Sequence, residues 1–508
     1  MATSTNDPLA NIAFDYEITQ TAAPYIAAVG LILLGFLLFR DKGTKLPYVN
    51  PKSPFELSDK RAVSEFIYAS KHMLYNVARS FMGKPYRVLS DLGDVIILPP
   101  HIGDEIRNDK RFSFSEGPVE VRTAHTLVAS DFQGRYAGFD AYKEACHPSQ
   151  RLQNVVKLRL TKTLAKITQP LSEECEIMMR ETLRTTKEGI LSIVARLSSR
   201  ISVGKELGCD PKWLSTIMGY AELSIQAMQP LRLWPKIPRP LVVWFLRDPT
   251  RLRAYIRDAD ALVLAEIRRR GAESQERELT DVIDWFQEIA KGERDNTGLS
   301  QLILATVAIH TTSDLITQTM YDIMGNPELV DDLRKEIVTV IGEGGWRKTS
   351  LYNLKLMDSV LKESQGLKPN QIVGTYRRVM EDVVLSDGKY IARGSAMAVS
   401  SEKMWDPSIY PDPNKFNGAD AANQLVTTST NQMGFGHGMH SCPGRFFASN
   451  EAKVALCHLL MKYDFKLAPG EKPKVSQFGF TFEADAAVKV LIRRRKEEIE
   501  LSAKVTEN

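Results

Sequence analysis

Cys442 closes the run Met433-Gly-Phe-Gly-His-Gly-Met-His-Ser-Cys-Pro-Gly-Arg-Phe-Phe-Ala448, which leads into a helical pattern from Phe446 to Tyr463. Gly434, Gly436 and Gly438 free the backbone to take positive φ and to approach a flat partner that side chains would hold away. A cysteine at the start of a helix meets free backbone donors and the positive end of the helix dipole, which favour a thiolate, a soft ligand for iron. Two plainer readings compete: an ordinary loop cysteine, and a zinc site built from His437, His440 and Cys442. Zinc would want a fourth ligand and gains nothing from Phe435 or from the glycines. The spacing Phe-x-x-Gly-x-x-x-Cys-x-Gly is satisfied at Phe435, Gly438, Cys442 and Gly444.

The rest of the chain must position that loop. It has 508 residues, 43% hydrophobic and 25% charged, an ordinary globular mix that argues against collagen-like, low-complexity or disordered chains. The net charge of +4 is too small to argue for a nucleic-acid partner. Five cysteines, widely spread and without a C-x-x-C pair, suit neither a disulfide framework nor a zinc ribbon. Amphipathic periodicity predicts helices over Cys175 to Arg184, Asp281 to Lys291, Asn296 to Met324 and Glu328 to Ile341, while Val95 to Leu98, Val383 to Leu385 and Val488 to Ile492 read as short strands. The class is mainly α with small β-sheets.

No charge falls between Glu17 and Arg40, and Ala22 to Phe39 is almost wholly apolar, near the length that spans a bilayer as helix. A transmembrane helix over about 18–39 is expected, giving an anchor at 1–45 and a large body at 46–508. A cleaved signal peptide fits less well, because Asp7, Asp15 and Glu17 precede the apolar run. Arg40, Lys42 and Lys45 follow it and place the body in the cytosol. Pro47, Pro51 and Pro54 make a non-helical connector.

The loop resembles the haem-binding loop of cytochromes P450. That resemblance implies the cytochrome P450 fold with an N-terminal transmembrane helix, haem b as cofactor, Cys442 as the iron ligand, Phe435 shielding its sulfur, and His440 at a haem propionate. Gly438 and Gly444 are the loop's pattern glycines. The family's distal helix is expected at Val307-Ala-Ile-His-Thr-Thr-Ser313, where Thr311 matches the family threonine and His310 replaces its usual acid. The Thr311 hydroxyl is expected to bond one turn back and open the helix, with His310 shuttling protons. Arg377 in Pro369-Asn-Gln-Ile-Val-Gly-Thr-Tyr-Arg-Arg378 is the second propionate partner implied. Fungal secondary-metabolite members, including enzymes acting on gibberellin precursors, diterpenoids and indole diterpenoids, are similar over nearly the whole chain.

Two segments depart from the family. Its Glu-x-x-Arg reads Glu363-Ser-Gln-Gly366, and its meander shrinks to Phe416-Asn-Gly-Ala-Asp-Ala before Asn423-Gln-Leu-Val. Glu363, buried in the family fold, would lose two arginine partners, and burying it unpaired costs several kcal/mol or neutralises it. Lys362 and Lys368 are the candidate substitutes. A tolerated variant, a degenerate and poorly haem-loaded protein, and a meander lost by altered splicing all remain open.

Arg151, Lys157, Arg159, Lys162 and Lys166 lie on one stretch without an acid, which reads as a docking face for an acidic electron donor or as a solvated surface. Candidate pocket linings are Ile303, Val307, Ile372, Val373, Phe478 and Phe480, with Met228, Leu231 and Trp234; each has a core-packing alternative. Together these readings predict a membrane-anchored haem-thiolate monooxygenase of the endoplasmic reticulum. It would take electrons from NADPH through NADPH-cytochrome P450 reductase and use O2 on a C–H bond of a hydrophobic terpenoid. The alternatives are a reductase-independent haem-thiolate isomerase and a non-catalytic protein of the same fold.

Overall fold

The computed structural model describes residues 45–56, 58–81, 83–114, 136–145, 147, 149–181, 186–234, 238–272, 280–290, 296–416 and 424–501. The expected span at 18–39, Cys146, and residues 417–423 of the shortened meander lie outside the described residues.

The helix Thr297–Ile323 organises the molecule. The Asn296 side chain accepts from Leu299 N at 3.3 Å and so satisfies a donor the helix leaves open. Apolar residues run around this helix rather than along one stripe, so it is stable only when surrounded. Helices Thr186–Ser202, Pro211–Leu233, Arg247–Ala272, Lys355–Leu367 and Arg445–Lys462 pack on it. Among the described residues it alone is long and apolar enough to cross a membrane, yet most of it is buried in the protein. It is a core helix.

The periodic segments form helices at Thr297–Ile323, Pro327–Gly344 and Val282–Ala290, each within a few residues of expectation. The segment expected from Cys175 is the second half of a longer helix, Thr161–Glu181, which carries Pro170 inside it and follows a π-helical turn at Val156–Leu160. These irregularities mask its first half in the sequence. Of the basic residues here Lys157, Arg159, Lys162 and Lys166 are exposed, Arg159 pairing with Glu288, while Arg151 is buried beside Glu144 at 3.5 Å and leaves that face.

A five-stranded sheet is ordered β1-β2-β7-β4-β3, from β1 (Tyr86–Ser90), β2 (Gly93–Leu98), β3 (Phe112–Ser113), β4 (Val373–Val379) and β7 (Ala396–Ser400). β2 and β7 run parallel and the other pairs antiparallel. The proline connector is pinned to its edge: Val49 N donates to Arg87 O at 3.0 Å and Arg87 N to Pro47 O at 2.8 Å. Three two-stranded ribbons complete the strands among the described residues: β5 (Val383–Val384) with β6 (Tyr390–Ile391), β8 (Tyr463–Leu467) with β11 (Val490–Arg494), and β9 (Ser476–Phe478) with β10 (Thr481–Glu483).

Among the described residues two large hydrophobic cores result, one among the helices and one against the sheet, with a small third cluster of Tyr321, Ala484 and Val488. Met433 belongs to the sheet core, whereas Phe435 and Phe447 pack on the helical core. The glycine-rich loop therefore hangs between the two.

Candidate active site between the distal helix and the cysteine loop

The loop is held by its own backbone. Gly436 N donates to Met433 O at 2.7 Å, Ser441 N to Gly438 O at 3.0 Å, and Cys442 N to Phe435 O at 2.8 Å. Gly436 has φ +67° and Gly438 φ +78°, and a Cβ on Gly438 would stand 2.4 Å from Arg107 O. No other residue fits there. Arg445, the first residue of the following helix, donates to Cys442 O at 2.8 Å and to Val426 O at 3.2 Å. Burial pushes the Cys442 thiol above its ordinary value, against the Gly444 backbone N–H and the Arg445 charge. The helix-start donors act in the expected direction, favouring the thiolate, while burial acts against them.

Across from the loop lies a cavity of about 470 Å³. Leu304, Val307, Ala308 and Thr311 line it from the distal helix, and Phe435 and Cys442 from the loop. Thr311 is exposed to it and donates its hydroxyl to Val307 O at 2.7 Å. The helix stays continuous through this turn, so the expected opening does not occur. His310 is half-buried and is not among the lining residues.

The acid that comes near the distal threonines is instead Glu451, nine residues beyond the cysteine. Ser198, a cavity-lining residue on Thr186–Ser202, donates to its carboxyl at 2.7 Å. Burial pushes Glu451 up to about 8, against the hydroxyls of Ser198 and Thr312. Sequence reading missed this group. Its only signal is a carboxylate inside an otherwise buried helix, which periodicity cannot tell from a surface residue.

Lys157 and His440 line one side of the cavity, and Arg377 stands behind them, 5.7 Å from the ring centre of the cavity-lining Phe114. Arg377 is 4% exposed, with Nη1 donating to Tyr376 O at 2.6 Å and buried Nη2 lacking a partner among the described residues. Burial pulls it down to about 10, with no carboxylate offsetting that effect. His440 is pulled down to about 4, by burial first and then by the charges of Arg377 and Lys157. A β-bulge between Gly374 and Arg377 re-aims this part of β4. The cavity thus combines Gly434, Gly444 and the Cys442 sulfur with Lys157 and His440 on its lining, and Arg377 lies beside it at Phe114. A haem fits this donor set, with Cys442 for its iron and Arg377, His440 and Lys157 for its propionates. Lys157, which sequence reading assigned to a docking face, borders the cavity and donates to Met439 O at 3.3 Å.

On the loop's other side, Glu363 is half-buried rather than buried. Lys368 is committed to Asp314 on the distal helix, both side chains being almost wholly buried. Lys362 is half-buried and pulled down by desolvation, with Asp358 acting in the other direction. Neither lysine reproduces a bidentate arginine.

Of the expected pocket residues, Val307 lines the cavity. Ile303, Met228 and Leu231 lie in the helical core, and Ile372, Val373 and Phe480 in the sheet core, where Phe480 meets Phe66 edge-on at 4.7 Å. Phe478 is half-buried and Trp234 is exposed, and neither lines the cavity. Phe114, Gln365 and Asn370 line it instead.

The family described as Cytochrome P450 matches residues 143–487. The chain is 38% identical to cytochrome P450 monooxygenase hepE of Aspergillus oryzae, covering 93% of this chain and 90% of that protein. It is 38% identical to a cytochrome P450 monooxygenase of Gibberella fujikuroi, over 82% of this chain and 99% of the relative. Cytochrome P450 monooxygenase TRI1 of Fusarium sporotrichioides is 37% identical over 88% and 85%. The solved structure of the cytochrome P450DA heme domain shares the fold, with a TM-score of 0.65 at 17% identity, covering 89% of this chain and 98% of that one. The mainly helical chain with its cysteine loop therefore belongs to the cytochrome P450 family, as a monooxygenase.

Proposed function

We propose that this chain oxidises a C–H bond of a hydrophobic terpenoid, a diterpenoid or indole diterpenoid of fungal secondary metabolism, at a haem b held by Cys442. The observation that carries the reading is the single cavity bordered by both Cys442 and Thr311. When bound, haem-thiolate iron supplies oxygen activation, using O2 and electrons passed from NADPH by NADPH-cytochrome P450 reductase. Arg377, His440 and Lys157 bind the cofactor's carboxylates. Phe435 packs beside the loop and its carbonyl holds the Cys442 N–H. Leu304, Val307 and Ala308 exclude water and offer apolar area to the substrate at about 25 cal/mol per Å². Thr311 holds a proton at its hydroxyl, and Glu451 carries one on its carboxyl near neutral pH. His310 completes the distal set through the helix backbone, its carbonyl accepting from Ser313 at 3.2 Å. The apolar segment at 18–39 anchors the protein in the endoplasmic reticulum membrane.

The test is turnover of a diterpenoid panel in microsomes with NADPH and reductase, in oxygen-18 gas, beside Cys442→Ser. One labelled oxygen atom in the product, lost in C442S, supports the reading. Product formed without NADPH would favour the isomerase reading. A non-catalytic protein of this fold is the second reading, favoured by the open space at Gly366, and it predicts no product under any condition.

A further inference from the structure

We propose that Gln371 determines the substrate class by anchoring a hydroxyl group that the terpenoid already carries when it reaches this enzyme. The inference rests on the terpenoid reading above. Gln371 is an exposed residue on the cavity lining, next to Asn370 and three residues beyond Lys368, which also line it. Its place is rigid. Phe482 N donates to Asn370 O and Ile372 N to Phe480 O, both at 3.0 Å, and Gln371 pairs with Thr481 between them. Ile372 and Phe480 are buried in the sheet core. Lys368 is held by Asp314, which follows Thr311 by three residues on the distal helix. Gln371 therefore lies within about 10 Å of chain from a residue locked to that helix.

One end of the amide is already engaged. Gln371 Nε2 donates to Thr481 Oγ1 at 3.1 Å, which leaves Oε1 with no protein donor among the described residues. Asn370 repeats the pattern, with Nδ2 3.5 Å from Phe482 O. An amide oxygen accepts and cannot donate, so it selects a ligand group that donates. Elsewhere the lining offers apolar side chains such as Leu304, Val307, Leu315 and Phe114. A hydrocarbon or an ether laid against Gln371 strips water from Oε1 and returns no donor, so that oxygen's desolvation goes uncompensated. A hydroxyl replaces the lost water with a hydrogen bond. The substrate is therefore a terpenoid alcohol, and a preceding step that installs the hydroxyl, an oxygenation or a water-quenched cyclisation, must supply it.

The test is equilibrium binding to the holoenzyme of a panel of diterpene alcohols with the hydroxyl at different carbons, each beside its own methyl ether and each corrected for its measured partition into the detergent. At least one alcohol should bind about fivefold tighter than its ether, the value of one neutral hydrogen bond. Gln371→Leu should remove that difference and leave the ether's affinity near that of the natural chain. Gln371→Glu keeps an acceptor and should keep the difference. A preference for the alcohol that survives Q371L, or an equal loss of alcohol and ether in Q371L, overturns the proposal. So does a natural chain that binds every ether as tightly as its alcohol, which decides the matter even if the variants do not fold. Binding of neither alcohols nor ethers overturns the terpenoid reading itself, and this inference with it.

Discussion

Asp358 and Lys453 form an ion pair at 2.5 Å with both side chains almost wholly buried. Asp358 also accepts from Leu425 N at 2.6 Å, and Lys453 donates to Leu351 O at 2.9 Å. Leu425 is fully buried just where the chain returns from the shortened meander. The pair therefore ties the helices Lys355–Leu367 and Arg445–Lys462 to that return, close to where Glu363 no longer has an arginine at position 366. Breaking it leaves a buried charge uncompensated. Asp358→Leu or Lys453→Met should lower stability by about 3 kcal/mol, and D358L/K453M together by less than the sum of the single changes. Denaturant unfolding of the four proteins measures this.

Arg377 gives opposite signs with and without cofactor. Its folded pKa of about 10 lies below the ordinary 12.5, so below pH 10 the haem-free fold carries a penalty that is relieved only at higher pH. R377M should raise the stability of haem-free protein at pH 7 by about 2 kcal/mol. The same change should lower haem retention about tenfold, because a charge-assisted bond to a carboxylate is lost. Unfolding of the haem-free chain and haem transfer to apomyoglobin check the two halves.

Glu451 predicts a pH slope. Its folded pKa of about 8 stands above the ordinary 4.5, so the folded state holds an extra proton between those values. Stability contributed by that proton is complete below pH 4.5 and is lost as pH rises toward 8. The chain should lose about 3 kcal/mol between pH 5 and pH 8 from this group, and E451Q should lack that component. Infrared spectroscopy should show a protonated carboxyl band at pH 7 that is missing in E451Q.

The distal threonine affects coupling rather than binding. Thr311→Val keeps the shape but removes the hydroxyl that donates to Val307 O. Product formation should fall about tenfold or more, the usual worth of a positioned proton donor, while NADPH consumption and substrate affinity stay near those of the natural chain. Comparing product with NADPH consumed checks it.

The cysteine loop was legible in the sequence because its logic is local: glycines at 436 and 438 with positive φ, then a cysteine directly before a helix. The distal helix was legible from its apolar length. The pocket wall was not. Ile303 and Val307 lie four residues apart on one helix, yet Ile303 is fully buried in the core and Val307 is 46% exposed to the cavity; only the packing of neighbouring helices decides between them. Glu451 was missed for the same reason, since charge on a helix ordinarily means solvent, and it is fully buried. The glycine at 366 was visible at once, but its spatial neighbour Gln432 comes from a distant part of the chain.

Cys442 is expected to hold haem iron as a thiolate with glycine, not arginine, at position 366. The carbon-monoxide difference spectrum of the reduced protein tests it most directly, in microsomes, beside C442S and a chain with both arginines and the meander rebuilt. The Soret band of thiolate-ligated haem is expected in the natural and rebuilt chains and none in C442S. A normal band in the rebuilt chain, with none or only that of a displaced thiol in the natural one, would contradict it.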